Sequence, residues 1–304
     1  MARSVLNASQ FQSEAEAFAY VEARLWPNGP VCPHCQEASR IGRLNGKTTR
    51  MGLHKCYACK KPFTVRSGTI FESSHLELHL WLQIIHLMCA SKKGISTRQI
   101  QRMLNCSMKT AWFLGHRIRE AMTDHSATPL GGLGVTVEAD ETYINRSPKT
   151  KKAAGLAPNK KGGEQVFALV ERGGKQRSIF LDHRTVRSAL AEHFNPASRL
   201  VTDGARHYIK TWAAPNHESV DHKKGEYVRG DVHTNSLEGF FSILKRGLVG
   251  IYQHVDKKHL QRYLAEFDFR HNTREMLKIS DVMRADIALL GVVGKRLMYQ
   301  TAGA

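Results

Sequence analysis

The spacing of hydrophobic positions changes several times along the chain and divides it into segments. Apolar residues recur at helical intervals in the first and third segments, whereas the second has no period and many turn-forming residues. Further along, short β-rich runs alternate with helical ones, which is typical of an α/β domain. We predict five regions: an N-terminal helical segment at 1–28, an irregular module at 29–70, a helical module at 75–125, an α/β domain at 131–290 and a C-terminal tail at 291–304.

Three helices are predicted within the helical module. The first covers residues 76–90, the second 96–104 and the third 108–122. Ser96 stands where an N-cap is expected, and Gln99 occupies the capping-box position three residues later. A short helix joined by a tight turn to a longer one is typical of a helix-turn-helix, although an ordinary three-helix bundle would show the same pattern.

The chain carries a large excess of positive charge. Its 304 residues include 45 Lys and Arg against 27 Asp and Glu, for a formal net charge of +18 at pH 7. This charge indicates a polyanionic partner, and nucleic acid is the commonest polyanion in a cell. The third predicted helix would then contact DNA through side chains that we expect to be exposed. These residues are Lys109, Thr110, His116, Arg117 and Arg119.

Neither a membrane segment nor an export signal is predicted. No apolar run approaches the roughly 18–20 residues needed to span a bilayer. Residues 1–12 lack a charged region followed by an apolar core. We therefore expect a cytoplasmic protein with no membrane partner. Cysteines stay reduced in the cytoplasm, so paired cysteines indicate metal ligands in preference to disulfides.

Four of the six cysteines form two Cys-x-x-Cys pairs, separated by 20 residues. Each pair can bind a metal ion through two thiolates, and two pairs complete a tetrahedral Zn²⁺ site. Because the protein supplies all four ligands, we predict one structural zinc ion and a zinc ribbon over residues 29–70. The predicted ligands are Cys32, Cys35, Cys56 and Cys59. Cys89 and Cys106 lie in apolar helical contexts and are predicted core thiols.

Three acidic residues of the α/β domain stand at positions typical of an active site. A β-rich run over residues 135–143 predicts a central strand with Asp140 near its end. A second apolar run ends at Asp203 and Gly204, which predicts a buried strand with the acid at its carboxyl end, where α/β proteins bind ligands. Glu238 lies on a predicted helix. Three carboxylates from two strands and a helix can hold two divalent cations.

The helix that carries Glu238 has an apolar face and a polar ridge. Asn235, Glu238, Ser242 and Lys245 recur every three to four residues, which brings an amide, a carboxylate and an ammonium group to one side. Two Mg²⁺ or Mn²⁺ ions bound by the acids would support an in-line displacement at phosphorus. Lys245 and the adjacent Arg246 would contact DNA phosphates.

Several longer runs repeat the pattern of one known family. The most specific run is HTNSLEGFFSILKRG at 233–247, continued by YQHV at 252–255 and LQRYL at 260–264. Two earlier motifs are VEADETY at 137–143 and TDG at 202–204. Over nearly its whole length the chain resembles the DDE transposases of bacterial insertion sequences, and within them the zinc-ribbon ISXO2-like (IS1595) family.

The resemblance implies a multidomain α/β protein, in which a zinc ribbon and a helix-turn-helix precede a ribonuclease H-like catalytic domain with a mixed sheet and flanking helices. It implies Asp140 and Asp203 as ligands of two Mg²⁺ or Mn²⁺ ions. Glu238 fits the third ligand position because Lys245 follows at the expected interval, while in some relatives an asparagine, here Asn235, takes this role. We favour Glu238. The neighbouring acids are interpreted as structural or as lying outside the ligand set, namely Glu138 and Glu141.

The implied reaction is DNA transposition. A phosphodiester is hydrolysed at each transposon end, and the exposed 3′-hydroxyl then attacks target DNA. The partners would be double-stranded DNA with terminal inverted repeats, target DNA, and further copies of the chain in a homodimer or larger assembly, near the nucleoid of a bacterium. The basic segment at 146–163 is a candidate strand or target contact. Two alternatives stay open: a non-catalytic DNA-binding repressor derived from a transposase, and a nuclease of the same fold.

Overall fold

The structure is a computed structural model that describes residues 4–126, 128–144, 163–205, 208 and 216–297. Two compact units divide the chain. Unit 1 comprises residues 1–123 and 275–304, and unit 2 comprises residues 124–274. The predicted contact segment 146–163 lies almost entirely outside the described residues. None of the described helices is both long enough and apolar enough to span a membrane.

Unit 1 begins with a helix and a small sheet. Helix α1 (Glu14–Leu25) starts at Ser13, whose side chain accepts a hydrogen bond from the backbone N–H of Glu16. An antiparallel three-stranded sheet follows, in the order β1 (Ile41–Arg43), β2 (His54–Cys56) and β3 (Pro62–Phe63). Strands of two or three residues form only a small core, in which Cys32, Cys56 and Phe63 are buried, so a bound metal ion is the expected main source of stability.

Four further helices are described in unit 1, and the first three have bounds close to those predicted. They are α2 (Leu78–Ala90), α3 (Thr97–Leu104), α4 (Met108–Met122) and α8 (Asp281–Leu290). The Ser96 side chain caps α3 by accepting from the N–H of Gln99, as the sequence predicts. Asn105 then adopts a left-handed conformation with φ of 46°, which ends α3 and turns the chain into α4.

Helix α8 belongs to unit 1, although the sequence placed residues up to 290 in the α/β domain. Arg24 and Tyr20 of α1 both donate to the Asp286 carboxylate, each over 2.6 Å. Arg284 donates to the backbone O of Cys89, the last-turn cysteine of α2, over 2.9 Å. The boundary therefore differs from the prediction because contacts between segments far apart in the chain determine it.

Unit 2 contains a five-stranded mixed sheet in the order β6-β5-β4-β7-β8. Its middle strand, β4, runs antiparallel to β5 and parallel to β7, and β7 runs parallel to β8. The central position of β4 matches the prediction. The strands are β4 (Thr136–Ile144), β5 (Glu164–Glu171), β6 (Gln176–Phe180), β7 (Arg199–Asp203) and β8 (His217–Val220).

Helices cover both faces of this sheet. One core contains apolar residues of α6 (Asn235–Gly247) and α7 (Leu260–Asn272) with Ile144 and alternate residues of β5. The other core contains Val137, Ala139 and the remaining residues of β5 with α5 (Val186–His193). Because side chains alternate across a strand, Glu138 and Asp140 lie on the face that α6 covers.

Candidate functional sites

The four predicted zinc ligands lie together in unit 1. All four sulfurs lie within 4.8 Å of one another. The Cys32 and Cys59 sulfurs are 3.7 Å apart, and the Cys35 and Cys56 sulfurs are also 3.7 Å apart. A tetrahedral zinc with Zn–S bonds of about 2.3 Å has an edge of about 3.8 Å. The sulfurs are therefore already at the spacing that Zn²⁺ requires.

The backbone around the cysteines also fits a metal site. The residue after each Cys-x-x-Cys pair is left-handed, Gln36 with φ of 62° and Lys60 with φ of 64°, so both pairs turn in the same way. Backbone N–H groups of Cys59 and Ala58 point at the Cys56 sulfur and lower the pKa of this thiol to about 7. The pKa of Cys35 moves the other way, because a backbone hydrogen bond at Glu37 is outweighed by burial and the neighbouring cysteines, which raise it to about 12. A lowered thiol pKa favours the thiolate, which is the form that binds zinc. The four-cysteine cluster thus fits a structural zinc ion.

The exposure predicted along α4 is correct at its start and wrong further on. Lys109 and Thr110, in the first turn, are exposed. His116, Arg117 and Arg119 are buried, with 0%, 5% and 2% of their surface accessible. The later turns of α4 pack against α3 and α8, so one full turn of the helix has no side that faces solvent.

Arg117 is predicted to be exposed, but its side chain is buried and bound within unit 1. Its Nη1 donates to the backbone oxygens of Ile70 at 2.7 Å and Glu72 at 2.9 Å, and its guanidinium lies 4.7 Å from the centre of the Phe113 ring. These contacts hold α4 to the segment that follows the ribbon. His116 contacts the Trp112 ring, with ring centres 4.1 Å apart. Of the predicted contact residues on α4, only Lys109 and Thr110 remain accessible to DNA.

Asp140 and Asp203 are brought together by strand pairing. The parallel register of β4 and β7 pairs Glu138 with Val201 and Ala139 with Thr202, so the next position sets Asp140 beside Asp203. Paired residues of parallel strands point to the same face. β4 continues for four residues beyond Asp140, so this acid lies at the middle of the strand and not near its end as predicted. β7 does end at Asp203, as predicted.

The electrostatics of Asp140 indicate an acidic site. Burial, followed by the charges of Asp203, Glu141 and Glu238, raises its pKa to about 7. One hydrogen bond acts in the opposite direction, because the backbone N–H of Glu141 donates to the Asp140 carboxylate over 2.7 Å. The Asp140 carboxylate therefore lies among like charges, an arrangement that a divalent cation stabilises.

Glu238 lies on the exposed side of α6, as the sequence predicts. Asn235, Ser242 and Lys245 are exposed on the same helix, while Leu237 is fully buried. Arg246 is also exposed, and its Nε donates to the backbone O of Ser242 over 3.1 Å. The polar ridge predicted along this helix thus faces solvent.

The three acids are close enough to interact but are not as tightly grouped as the cysteines. Among the described residues, the cysteine cluster alone meets the criterion that three or more ligand atoms lie within 4.8 Å of one another. In a two-metal site the ions are about 3.5–4 Å apart and different carboxylates bind different ions. The ligand atoms of a two-metal site can therefore lie farther apart than the four ligand atoms of a single zinc ion.

Two further acids of β4 have partners of their own. Glu141 accepts a hydrogen bond from the Tyr208 hydroxyl over 2.8 Å, and burial raises the pKa of Tyr208 well above its usual value, which keeps the phenol protonated. Glu138 is fully buried and accepts from Arg172 Nε over 2.9 Å. It also accepts from the backbone N–H of Ser236 over 3.1 Å.

Only a weak pattern in the sequence indicates these contacts. Glu138 is a charged residue two positions before Asp140, and alternation places both on one face, but its partners stand far away in the chain. His222 was not singled out either, and its Nε2 lies 4.0 Å from Glu238 Oε1. A short 3₁₀ turn over His222–Lys224 positions this ring, which packs against Tyr227.

Comparison with known proteins gives matches to both units. Residues 129–272 match the family model of the ISXO2-like transposase domain, and residues 12–62 match that of the transposase zinc-ribbon domain. The chain is also 29% identical over 277 residues to an uncharacterized protein in transposable element ISH50 of Halobacterium salinarum. That alignment covers 86% of this chain and 91% of the relative.

The match to a transposase zinc-ribbon domain, followed along the chain by the match to a transposase domain, gives the class of the protein as a transposase. The two matched models together span well over half of the chain and describe one kind of protein. The chain belongs to the ISXO2-like (IS1595) transposase family.

Proposed function

We propose that the protein is a catalytically competent DNA transposase that uses two divalent metal ions to cut and join DNA. Asp140, Asp203 and Glu238 hold the two Mg²⁺ or Mn²⁺ ions in a ribonuclease H-like domain. The observation that carries this proposal is the meeting of the three carboxylates on the α6-covered face of a mixed sheet. In a chain of net charge +18, acids that meet in one site and raise the pKa of its buried member call for a cation.

The residues present fit the metal ions. The Asp140 pKa of about 7 is raised by burial and then by Asp203, Glu141 and Glu238, so the site repels its own ionised form. Mg²⁺ takes oxygen ligands and keeps several waters, so a few carboxylates suffice. When bound, the two ions would activate the attacking oxygen and neutralise the leaving oxygen.

The reaction would proceed in two displacements at phosphorus. In the first, the oxygen of a water molecule bonds to phosphorus at the transposon end, the bond to the 3′-oxygen breaks, and that oxygen takes up a proton. In the second, the new 3′-hydroxyl gives up its proton as its oxygen bonds to a phosphorus of target DNA, the bond from that phosphorus to the target's 3′-oxygen breaks, and the displaced oxygen takes up a proton. Neither step requires a covalent bond between protein and DNA.

The exposed cations would bind the DNA. Lys109 and Thr110 stand in the first turn of α4, where a helix-turn-helix contacts the major groove and the helix N-terminus favours phosphate. Lys245 and Arg246 stand at the end of α6, seven and eight residues beyond Glu238, and would contact phosphates beside the metal site. Because two transposon ends must be paired, we expect a homodimer or larger assembly on double-stranded DNA with terminal inverted repeats.

The choice of third ligand favours Glu238 over Asn235. The charge of Glu238 contributes to the raised pKa of Asp140, which requires the two carboxylates to be close. An anionic oxygen also binds Mg²⁺ more strongly than an amide oxygen does. We expect Glu238→Gln to lose cleavage by at least about 10³-fold, a loss in the range for removal of one catalytic group. Asn235→Ala should lose less than about 10-fold.

A strand-transfer assay tests the proposal. Labelled DNA that carries the element's own ends is incubated with Mg²⁺ or Mn²⁺ and with wild type, Asp203→Asn or Glu192→Gln. Glu192 is a matched control, because it is an exposed acid of unit 2 that pairs with Arg184 outside the site. We expect joined product from wild type and from Glu192→Gln, and none from Asp203→Asn.

Two other outcomes would replace the proposal. Tight, salt-sensitive DNA binding by all three proteins without cutting would identify a non-catalytic DNA-binding protein. Cutting that depends on Asp203 but yields no joined product would identify a nuclease.

A further inference from the structure

Two motif runs that stand about a hundred residues apart meet at one buried carboxylate. Glu138 lies two residues before Asp140 on β4, and Ser236 lies two residues before Glu238 on α6. Glu138 Oε2 accepts from the Ser236 backbone N–H over 3.1 Å, and Glu138 Oε1 accepts from the Ser236 hydroxyl over 3.0 Å. Glu138 and Ser236 each stand two positions before a proposed metal ligand, and these two residues bind each other directly.

A second contact fixes the segment that enters α6. Arg172, next after β5, donates from Nε to Glu138 Oε1 over 2.9 Å and from Nη2 to the backbone O of His233 over 3.0 Å. The segment from His233 to Ser236 is therefore held at two points, both connected to Glu138. The Thr234 side chain makes no capping hydrogen bond, so the Glu138 carboxylate takes the place of a local N-cap.

The geometry of α6 makes this attachment important for Glu238. Ser236, Leu237 and Glu238 are consecutive in α6. Ser236 is bound to Glu138, Leu237 is fully buried, and the charge of Glu238 acts on Asp140. Apolar packing alone lets a helix turn or slide slightly. A turn of about 20° about the axis would move a side chain on the surface of a helix 10–12 Å wide by about 2 Å. Misplacement by about 1 Å can cost about 10²-fold in rate.

We infer that Glu138 is a positioning residue that holds α6 in the orientation in which Glu238 shares a metal site with Asp140. Glu138 does this through Ser236 and, by way of Arg172, through His233. Full burial of its carboxylate excludes direct contact with DNA. This inference rests on the proposed metal site, and it adds a residue that the metal-ligand pattern does not contain.

Mn²⁺ binding to the zinc-loaded, DNA-free protein tests the inference. Free Mn²⁺ is measured by electron paramagnetic resonance for wild type, Glu138→Gln, Ser236→Ala, Ser236→Thr and Asp140→Asn. Asp268→Asn is a matched control, because Asp268 is also a buried acid that holds a helix, α7, to a strand, β6, through Ser178 and Gln176. Thermal unfolding is followed in parallel for every variant.

We expect Glu138→Gln to weaken Mn²⁺ binding at least about 10-fold, as loss of a residue that orients a ligand typically does. Ser236→Ala retains its backbone N–H and should weaken binding by about 3-fold with an unchanged melting temperature. Ser236→Thr keeps the hydroxyl and should bind as wild type. Asp268→Asn should lower the melting temperature and leave Mn²⁺ affinity unchanged. The concentration of Mn²⁺ for half-maximal DNA cleavage should shift by the same factors.

The outcomes separate the two proposals. If Asp140→Asn abolishes Mn²⁺ binding but Glu138→Gln and Ser236→Ala both bind as wild type, the positioning role is overturned and the metal site stands. If Asp140→Asn also binds as wild type, the metal site and the positioning role fail together. If Glu138→Gln does not fold, Ser236→Ala decides, and wild-type affinity in that variant overturns the inference.

Discussion

The zinc ribbon and the carboxylate site are two arrangements of anionic ligands that differ in how tightly their ligand atoms are grouped. In the ribbon, four thiols of two short turns already stand 3.7 Å apart in two pairs, the spacing of a filled tetrahedron. In unit 2, acids from β4, β7 and α6 meet, and the Asp140 pKa rises to about 7 because burial and neighbouring acids disfavour its charge.

This difference separates a site built for stability from one built for chemistry. The ribbon has strands of only two or three residues, so its ligands must be held by metal for the module to fold. The carboxylates stand on long strands and helices with cores on both faces, so unit 2 folds without metal and tolerates the repulsion. Removing a ligand should therefore have opposite effects on stability at the two sites.

The largest expected effect is loss of zinc from the ribbon. Structural zinc supplies an apparent binding energy of about 10–16 kcal/mol in small zinc modules. We expect Cys56→Ser, or treatment with a strong chelator, to unfold residues 29–70. Hydrogen exchange of the amides of β2 reports this directly. Cys106→Ser, which removes a thiol outside the cluster, is the control and should keep both zinc and amide protection. Retained protection in Cys56→Ser would show that the ribbon folds without metal.

The opposite sign is expected at the carboxylate site. Asp140 has a folded pKa of about 7 and a reference value of 3.8, so the folded state binds more protons than the unfolded state between these values. The free energy of unfolding then falls as pH rises through this window, by at most about 4 kcal/mol. Metal-free Asp140→Asn should be more stable than wild type at pH 8 and gain nothing near pH 4.

Scanning calorimetry at the two pH values measures this effect, and Mg²⁺ sharpens it. At pH 8, Mg²⁺ should raise the melting temperature of wild type, because it binds the folded protein and neutralises the ionised Asp140 carboxylate. It should leave the melting temperature of Asp140→Asn unchanged, because this variant lacks the carboxylate. Glu192→Gln serves as the control, since Glu192 is an exposed acid of unit 2 that pairs with Arg184 outside the site. Destabilisation by Asp140→Asn at pH 8 would contradict the picture of a self-repelling site.

The same contrast explains what the sequence could predict. The four zinc ligands were identifiable because each pair lies within one turn of chain. The start of α3 followed from a local signal, Ser96, whose side chain caps the helix by accepting from the N–H of Gln99. Asp140, Asp203 and Glu238 were found by motif, but their proximity depends on strand register.

What local patterns missed was set by distant partners. The burial of Arg117 depends on Ile70 and Glu72, and that of Glu138 on Ser236, which lies 98 residues away. Strand β8 is four residues long and mostly polar, so that its sequence gave no strand signal. The assignment of α8 to unit 1 depends on Asp286, whose partners stand in α1. Periodicity reports which side of an element is apolar, but it does not report what covers the other sides.

A smaller effect is expected at Arg117, which tests the correction along α4. Arg117→Met leaves two backbone oxygens without their donor, at a cost of about 3 kcal/mol in the free energy of unfolding. Urea unfolding measures this cost. DNA affinity per folded molecule should be unchanged, because the side chain is only 5% exposed. Weaker DNA binding without loss of stability would restore Arg117 as a DNA contact.

The smallest effect is expected at Lys109, which lies on the same helix as Arg117 but is exposed where Arg117 is buried. Lys109 is exposed in the first turn of α4, so Lys109→Met should leave the free energy of unfolding unchanged. Loss of one phosphate contact should weaken DNA binding by about 1 kcal/mol and reduce the slope of log affinity against log salt by about 1. Fluorescence anisotropy with end-bearing and unrelated DNA measures both quantities. An equal loss on both DNAs indicates a phosphate contact, a loss confined to the element's ends indicates base recognition, and no loss on either removes the first turn of α4 from the DNA interface.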